Sequence, residues 1–187
     1  SVVGDSDSWL FAASNGALTA GRRSPRHALF PSVAEDDLSD SAGVTGPSTA
    51  LVAERGGRRR LWRPFHDADR LVYRVARRLW KSTLGHHLVL EEENADLGLR
   101  FASGWRTSAR FGCVRECALA NAGPSPVKVD LLDGLLNLLP ADVEEPLQLG
   151  FSCLVDAYKR AERDPGSRLA LYTLAAQMTD LPEPRES

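Results

Sequence analysis

The stretch that decides the fold of this chain begins with Leu97-Gly-Leu-Arg-Phe-Ala-Ser-Gly-Trp-Arg-Thr-Ser108 and runs on to Pro140. In its first segment Leu99, Phe101 and Trp105 alternate with charged and small residues. Since successive side chains of a strand point to opposite faces, this alternation predicts a half-buried strand with its large apolar residues toward a core.

Two more segments of the same stretch have strand character. They are Ala109–Asn121 and Val127–Asp133. In the second, Val127, Val129 and Leu131 alternate with Lys128 and Asp130. Asn121-Ala-Gly-Pro-Ser-Pro126 separates them, with a glycine for unusual backbone angles and two prolines that cannot continue a ladder. Three consecutive segments of this kind predict an antiparallel meander.

Upstream, two glycine turns predict β-hairpins, because Asn-Gly and Gly-Gly pairs accept positive φ at both central turn positions. Asn15-Gly16 lies between Ser8–Ala13 and Ala17–Ala20, and Arg55-Gly-Gly57 lies between Ala50–Glu54 and Arg60–Trp62.

The remaining segments complete a mainly β pattern. Leu71–Trp80 fits both a helix and a strand, and we favour a strand because strands, including His86–Glu91, flank it. Acids followed by apolar residues at helical spacing predict one short helix near 143–157. Leu169–Ala175 is a further strand, and Ser24–Gly46 is irregular. The fold class is therefore mainly β, an antiparallel β-sandwich with one short helix.

Composition sets limits on function. The 187 residues fit one domain, 1–187, with 43% apolar and 26% charged residues. A net charge of -2 disfavours a general polyanion binder. No apolar run approaches the roughly 20 residues that span a bilayer, and the first residues show no secretory signal, so we expect a cytoplasmic protein and no membrane partner. Without an initiator Met, the chain is expected to be a fragment of a larger one.

Residues that often carry chemistry form no recognisable site. Cys113 and Cys117 would lie about 13 Å apart on one strand, beyond the roughly 7 Å limit for a disulfide, so we expect reduced, buried thiols. Neighbouring strand residues face apart, so neither Glu91-Glu-Glu93 nor His86-His87 supplies converging groups. Both acidic runs, Glu91-Glu-Glu93 and Asp36-Asp37, are expected on a solvated edge or loop. We therefore predict no catalytic residue, no metal site and no cofactor.

Two groups of residues suggest binding. The basic runs Arg55–Arg60 and Arg74–Lys81 resemble a nucleic-acid strip, but the acidic remainder of the chain argues against a nucleic-acid partner. Exposed tryptophan rings beside polar groups are typical of sugar-binding surfaces, whereas buried rings fill a core. On this ground Trp80, Trp105 and Arg106 are the candidate carbohydrate-binding residues, with core packing as the alternative for each ring.

Several motifs resemble the amino-terminal region of large bacterial proteins related to cellobiose phosphorylase. They are Trp80-Lys-Ser-Thr-Leu-Gly-His-His-Leu-Val-Leu-Glu-Glu-Glu-Asn-Ala-Asp-Leu-Gly-Leu99, Leu131-Leu-Asp-Gly-Leu-Leu-Asn-Leu-Leu-Pro140, Leu154-Val-Asp-Ala-Tyr-Lys-Arg160, Asn15-Gly-Ala-Leu-Thr-Ala20 and His27-Ala-Leu-Phe-Pro31. The resemblance implies a supersandwich-like β-domain that packs on a downstream (α/α) barrel, where the catalytic residues of such glycoside phosphorylases lie. No residue of this chain matches the family's catalytic motif.

The resemblance leads to one expected function and two alternatives. We expect a non-catalytic domain that docks on the barrel of a carbohydrate-active parent enzyme and contributes to binding a glucan or glucoside. The parent's reaction stays open between phosphorolysis, hydrolysis and transglycosylation. The alternatives are a stand-alone carbohydrate-binding module and a purely structural fragment.

Overall fold

The computed structural model describes residues 1–4, 6–31, 35–141 and 143–175, with backbone only at 35 and 36. Within these ranges the chain forms eleven strands and one α-helix. The strands are β1 Ser8–Ala12, β2 Leu18–Arg22, β3 Gly46–Arg55, β4 Arg58–Trp62, β5 Val75–Lys81, β6 His87–Asn94, β7 Leu99–Ser108, β8 Gly112–Asn121, β9 Lys128–Leu136, β10 Lys159–Arg163 and β11 Ala170–Leu174; the helix, α1, is Glu145–Tyr158. Short 3₁₀ helices cover Pro25–His27, Glu35–Ser41 and Asp67–Leu71.

All strand pairs are antiparallel. The largest sheet has the order β5-β6-β7-β8, the second has the order β4-β3-β9, and β1–β2 and β10–β11 are separate hairpins. No helix in the described ranges is both long and apolar enough to cross a membrane.

The two larger sheets enclose a core, which confirms the sandwich. Leu99 and Phe101 of the four-stranded sheet pack against Leu51 and Trp62 of the three-stranded sheet. At the other end of the inner face, the β1–β2 hairpin covers Trp105 together with Leu88, through Leu10, Leu18 and Ala20. The alternation in β7 thus places its large apolar residues in the core, as predicted, because each removes apolar surface from water there.

The predicted three-strand meander is wrong in its last member. β8 pairs with β7, but β9 pairs with β3 in the other sheet, in a register that sets Leu51 opposite Leu131. The connection 122–127 contains two prolines, which lack the N–H of a ladder, and it carries the chain across to the second layer. The meander that forms is β5-β6-β7-β8.

Both predicted hairpins are confirmed. Gly16 has φ +89° between β1 and β2, and the β3–β4 turn has Gly56 at +57° and Gly57 at +75°. These angles are accessible to glycine at little cost. β3 starts at Gly46, before the predicted Ala50, because its first half pairs with β9.

Two segments differ from their predictions in detail. Leu71 ends a 3₁₀ helix and is 91% exposed, so the strand predicted over Leu71–Trp80 begins only at Val75. The predicted helix is confirmed as α1, but Phe151 has non-helical angles, φ -140° and ψ 32°. This kink interrupts the helical period, and Val155 is the one residue of α1 that is fully buried.

Candidate functional site

The outer surface of the four-stranded sheet carries two of the three predicted carbohydrate-binding residues. Cross-strand register aligns Trp80 with Val89, Gly104 and Glu116, and the next outward row aligns His87, Arg106 and Val114. We call this surface the Trp80 face, and define it by its outward residues Trp80, His87, Val89, Gly104, Arg106 and Glu116.

The Trp80 face combines an exposed aromatic ring with a position that has no side chain. Trp80 is 59% exposed, and the row continues at Gly104, which has no side chain. A Cβ at Gly104 would lie 3.0 Å from Nε2 of His87, so the glycine allows the imidazole to lie close to the sheet. The far side of the face is polar, because Arg106 forms an ion pair with Glu116. An open ring next to hydrogen-bonding groups is suited to stacking on a sugar ring.

Trp105 lies on the opposite side of the same sheet. It is 3% exposed, aligns with Leu88 and belongs to the core. The guanidinium carbon of Arg115 lies 5.9 Å from its ring centroid, on the inner side as well. Its ring therefore offers no open face to a ligand, and the core-packing alternative describes Trp105.

A polar network that the sequence did not indicate connects the two sheets next to this ring. Arg115 donates to both carboxylate oxygens of Asp133, at 2.7 and 3.0 Å, and its Nε donates to Ser103 Oγ at 3.0 Å. Thr49 also donates to Asp133. The pairing of β9 with β3 creates this contact, so no local sequence pattern could have revealed it.

A second polar cluster lies at the β4 side of the sandwich. Glu92 is 1% exposed and accepts hydrogen bonds from Trp62 Nε1 at 3.0 Å, from Phe65 N at 3.1 Å and from Arg77 Nε at 2.6 Å. The prediction that Glu91-Glu-Glu93 lies in solvent is thus wrong for Glu92. The alternation of β6 was the available signal, since Glu92 follows Leu88 and Leu90 on the inner face.

The carboxylates on either side of Glu92 point outward, as the alternation predicts. Arg78 Nη1 donates to Glu91 at 2.9 Å and to Glu93 at 3.1 Å. These acids are therefore engaged in ion pairs, and within the described ranges no group of three or more His, Cys, Asp or Glu side chains could hold a metal ion.

The cysteines are free thiols, but less buried than predicted. Cys113 is half-buried, and Cys117 and Cys153 are exposed. Although Cys117 is exposed as a whole residue, partial burial of its sulfur raises its pKa, and the nearby charge of Arg115 acts in the opposite direction. Burial likewise raises the pKa of Cys113. Such thiols are poor nucleophiles at neutral pH.

The described cavities do not supply an enclosed aromatic sugar site. One cavity, of about 80 Å³, lies between the two larger sheets next to the β1–β2 turn. This volume is below the roughly 300–1,000 Å³ of typical ligand pockets. A cleft of about 390 Å³ is lined by Ser14, Asn15, Val75 and charged residues, without an aromatic ring. Its Asp67 pairs with Arg77 at 2.8 Å. The Trp80 face is the better candidate for a glycan.

Apolar side chains are exposed on β9 and α1. On β9 they include Leu131, Leu132, Leu135 and Leu136, of which Leu132 is 75% exposed. On α1 they include Leu149, Phe151 and Leu154, with Leu149 at 78%. We call these seven side chains the apolar surface of β9 and α1. Leu131 and Leu135 lie on the inner side of β9, as does Leu51 opposite Leu131, whereas Leu132 and Leu136 lie on its outer side. Exposed large apolar side chains in this number are typical of an interaction site.

No protein-family model matches the chain, and no curated protein matches it with significance. The resemblance to cellobiose phosphorylase-related proteins therefore stays a prediction that rests on the quoted motifs.

Proposed function

We propose that this chain is a non-catalytic β-sandwich domain that docks on another folded body through the apolar surface of β9 and α1. The observation that carries the proposal is the set of seven exposed leucine and phenylalanine side chains on these two elements. When a partner covers one of these side chains, the free energy of association becomes more favourable by about 25 cal/mol for each Å² of apolar surface buried.

The strand edges support docking as well. Among the described strands, β9 pairs only with β3 and β8 pairs only with β7, so each has one backbone edge without a strand partner. Natural proteins usually cover or charge such edges, because exposed N–H and C=O groups recruit other strands. On β9 the outward residues of this edge region include Leu132 and Leu136, which favours cover by a partner.

The partner proposed is the downstream (α/α) barrel of a carbohydrate-active parent enzyme of cellobiose phosphorylase type. The resemblance of the motifs supports this choice, and so does the state of the acids. Glu91, Glu92, Glu93 and Asp133 are all engaged with arginines. A glycosidase-type site needs a converging pair of carboxyl groups a few ångströms apart and open to substrate. The docked sandwich would contribute binding surface while the barrel supplies the reaction.

Expression in trans tests docking. The chain and the remainder of its reading frame are expressed from separate plasmids, and co-purification is measured. We expect a complex that is lost in the double variant Leu132→Asp/Leu136→Asp and kept in the control Leu71→Asp, whose leucine is exposed outside this surface. A reading frame without a helical barrel, or equal capture of both variants, would refute the proposal.

The exposed ring of Trp80 favours carbohydrate binding as a second candidate function. Calorimetry with β-glucan oligosaccharides tests it. Loss of a stacking ring costs about 1–2 kcal/mol, so Trp80→Ala should weaken binding by about tenfold or more. Phe111→Ala is the control, because Phe111 is also an exposed aromatic residue but lies outside the Trp80 face. Absence of binding by the unmodified chain would leave docking without this role.

A further inference from the structure

Three arginines converge at the end of the β3–β4 hairpin. Arg55 is directly opposite Arg58, and Arg60 is opposite Ala53, so all three share the inner face of the sheet. They line a cavity of about 170 Å³ together with Asp96, Leu97 and Val127. We call this cavity the arginine pocket. Like charges directly opposite on neighbouring strands repel, so this arrangement is unfavourable without a counter-charge.

On the outer face of the same hairpin, the arginine and lysine side chains are paired with carboxylates. There Arg59 pairs with Asp130 at 3.0 Å, and Glu54 lies 3.9 Å from Lys128. Over the described residues, by contrast, neither Arg58 nor Arg60 has a carboxylate within the 4.0 Å of an ion pair. The inner face therefore carries an excess of positive charge that the outer face does not.

The carboxylate in the pocket wall is already engaged. Asp96 accepts from the backbone N of Arg74 at 2.7 Å and from its Nε at 2.8 Å, and Nη2 of Arg74 lies at 2.7 Å. Its negative charge is therefore shared with a fourth arginine. Asp96 also feels the charge of Arg60, but among the described residues it is the single carboxylate that lines the cavity and it is paired with Arg74. The positive charge of the three pocket arginines is therefore not balanced within the pocket.

Arg55 is the least exposed of the three pocket arginines. Its guanidinium lies against the backbone of two turns, since a Cβ at Gly123 would be 3.1 Å from both Nη atoms and one at Gly98 would be 3.4 Å from Nη1. Its Nη2 makes only long contacts, 3.3 Å to Asn121 Oδ1 and 3.4 Å to the Ser125 carbonyl. Its Nε is buried and, over the described residues, lacks a hydrogen-bond partner. A buried donor without a partner costs free energy that an added acceptor recovers.

We propose that the arginine pocket binds a tetrahedral dianion, the phosphate or sulfate group of a small molecule. Guanidinium groups present several N–H donors in a planar fork that matches the oxygens of such a group. Leu97 and Val127 provide an apolar wall against which the organic part of the ligand can pack. The cavity volume of about 170 Å³ and the net charge of -2 favour a small ligand over a polynucleotide. This inference is independent of the docking function.

Titration calorimetry of the intact chain with inorganic phosphate, sulfate and a single-stranded oligonucleotide tests the site. We expect one phosphate or sulfate per chain. Arg58→Gln and Arg60→Gln, which alter exposed side chains, should each weaken it by about tenfold, the effect of losing one charge-assisted hydrogen bond. The matched control is Arg59→Gln, which removes a neighbouring charge from the opposite face and should leave affinity within about twofold.

The side-chain Nε–H resonance of Arg55, followed by NMR, provides a readout that does not depend on a substitution. Added phosphate should shift this resonance, because its donor gains an acceptor. Phosphate binding without sulfate binding assigns the pocket to phosphate esters, and similar affinity for both assigns it to the dianion in general. Absence of saturable binding, an equal loss in all three variants, or oligonucleotide binding that phosphate does not displace would overturn the proposal.

Discussion

Replacing Glu92 by leucine should be among the most damaging single changes in the sandwich. Leucine fills a similar volume at this position, where Glu92 is 1% exposed. It lacks the two carboxylate oxygens that accept the hydrogen bonds of the buried cluster. Arg77 would lose its closest partner, and the indole N–H of Trp62 and the backbone N–H of Phe65 would be left without theirs. The side chain of Arg77 is only 16% exposed, so water can replace little of this loss.

The expected destabilisation is about 3–5 kcal/mol, the usual cost of removing one partner from a buried ion pair. For a chain of this size each kcal/mol lowers the melting temperature by about 2–4 °C, so the transition should move down by about 6–20 °C. The neighbouring Glu93→Leu is the matched control. Glu93 points outward and shares Arg78 with Glu91, so its loss should cost no more than about 1 kcal/mol.

Urea titration of both variants, followed by tryptophan fluorescence and circular dichroism, measures the difference. A double variant with Arg77→Leu completes a cycle, in which Glu92 and Arg77 should couple by more than about 0.5 kcal/mol. If Glu92→Leu and Glu93→Leu were equally stable within error, Glu92 would not be a buried ion and the assignment of inner and outer faces in β6 would be wrong.

Three further predictions concern the other polar contacts. Asp133→Ala should destabilise the chain by about 1.5–3 kcal/mol in urea titrations, because it leaves Arg115 between the sheets without its carboxylate, and an effect below about 0.5 kcal/mol would contradict the network. The pKa of Asp96 lies below its usual value, chiefly because the backbone N–H and the side chain of Arg74 donate hydrogen bonds to its carboxylate. The contribution of Asp96 to stability is therefore present above about pH 4, and it is lost as the pH falls through the lowered pKa. Asp96→Asn should make the acid limb of stability against pH less steep, and an unchanged limb would be evidence against that shift. Alkylation of Cys117 by iodoacetamide at pH 8 should accelerate on unfolding in urea, since burial raises its pKa, and equal rates would exclude this effect.

Local patterns were sufficient for much of the fold. The turn residues Asn15-Gly16 and Gly56-Gly57 determine their hairpins, because the positive φ of Gly16, Gly56 and Gly57 depends only on the residues of the turn. The alternation of Leu99, Phe101 and Trp105 predicts the buried side of β7 for the same reason, since the period of two is a property of the strand itself. The same alternation places Arg106 on the side opposite Trp105, whereas the cross-strand register of β5, β6 and β7 places Trp80 on that same side.

Other features depended on which strand lies next to which. The sequence by itself determined the mainly β class, the hairpins, the helix near α1 and the inward side of β7, because each depends on neighbouring residues along the chain. Only the tertiary structure decided that β9 joins β3, that Glu92 meets Trp62 and Arg77 in the core, and that three arginines of one hairpin face a common pocket. These outcomes depend on the packing of two sheets, where long-range burial and pairing override the similar alternating patterns that every strand presents.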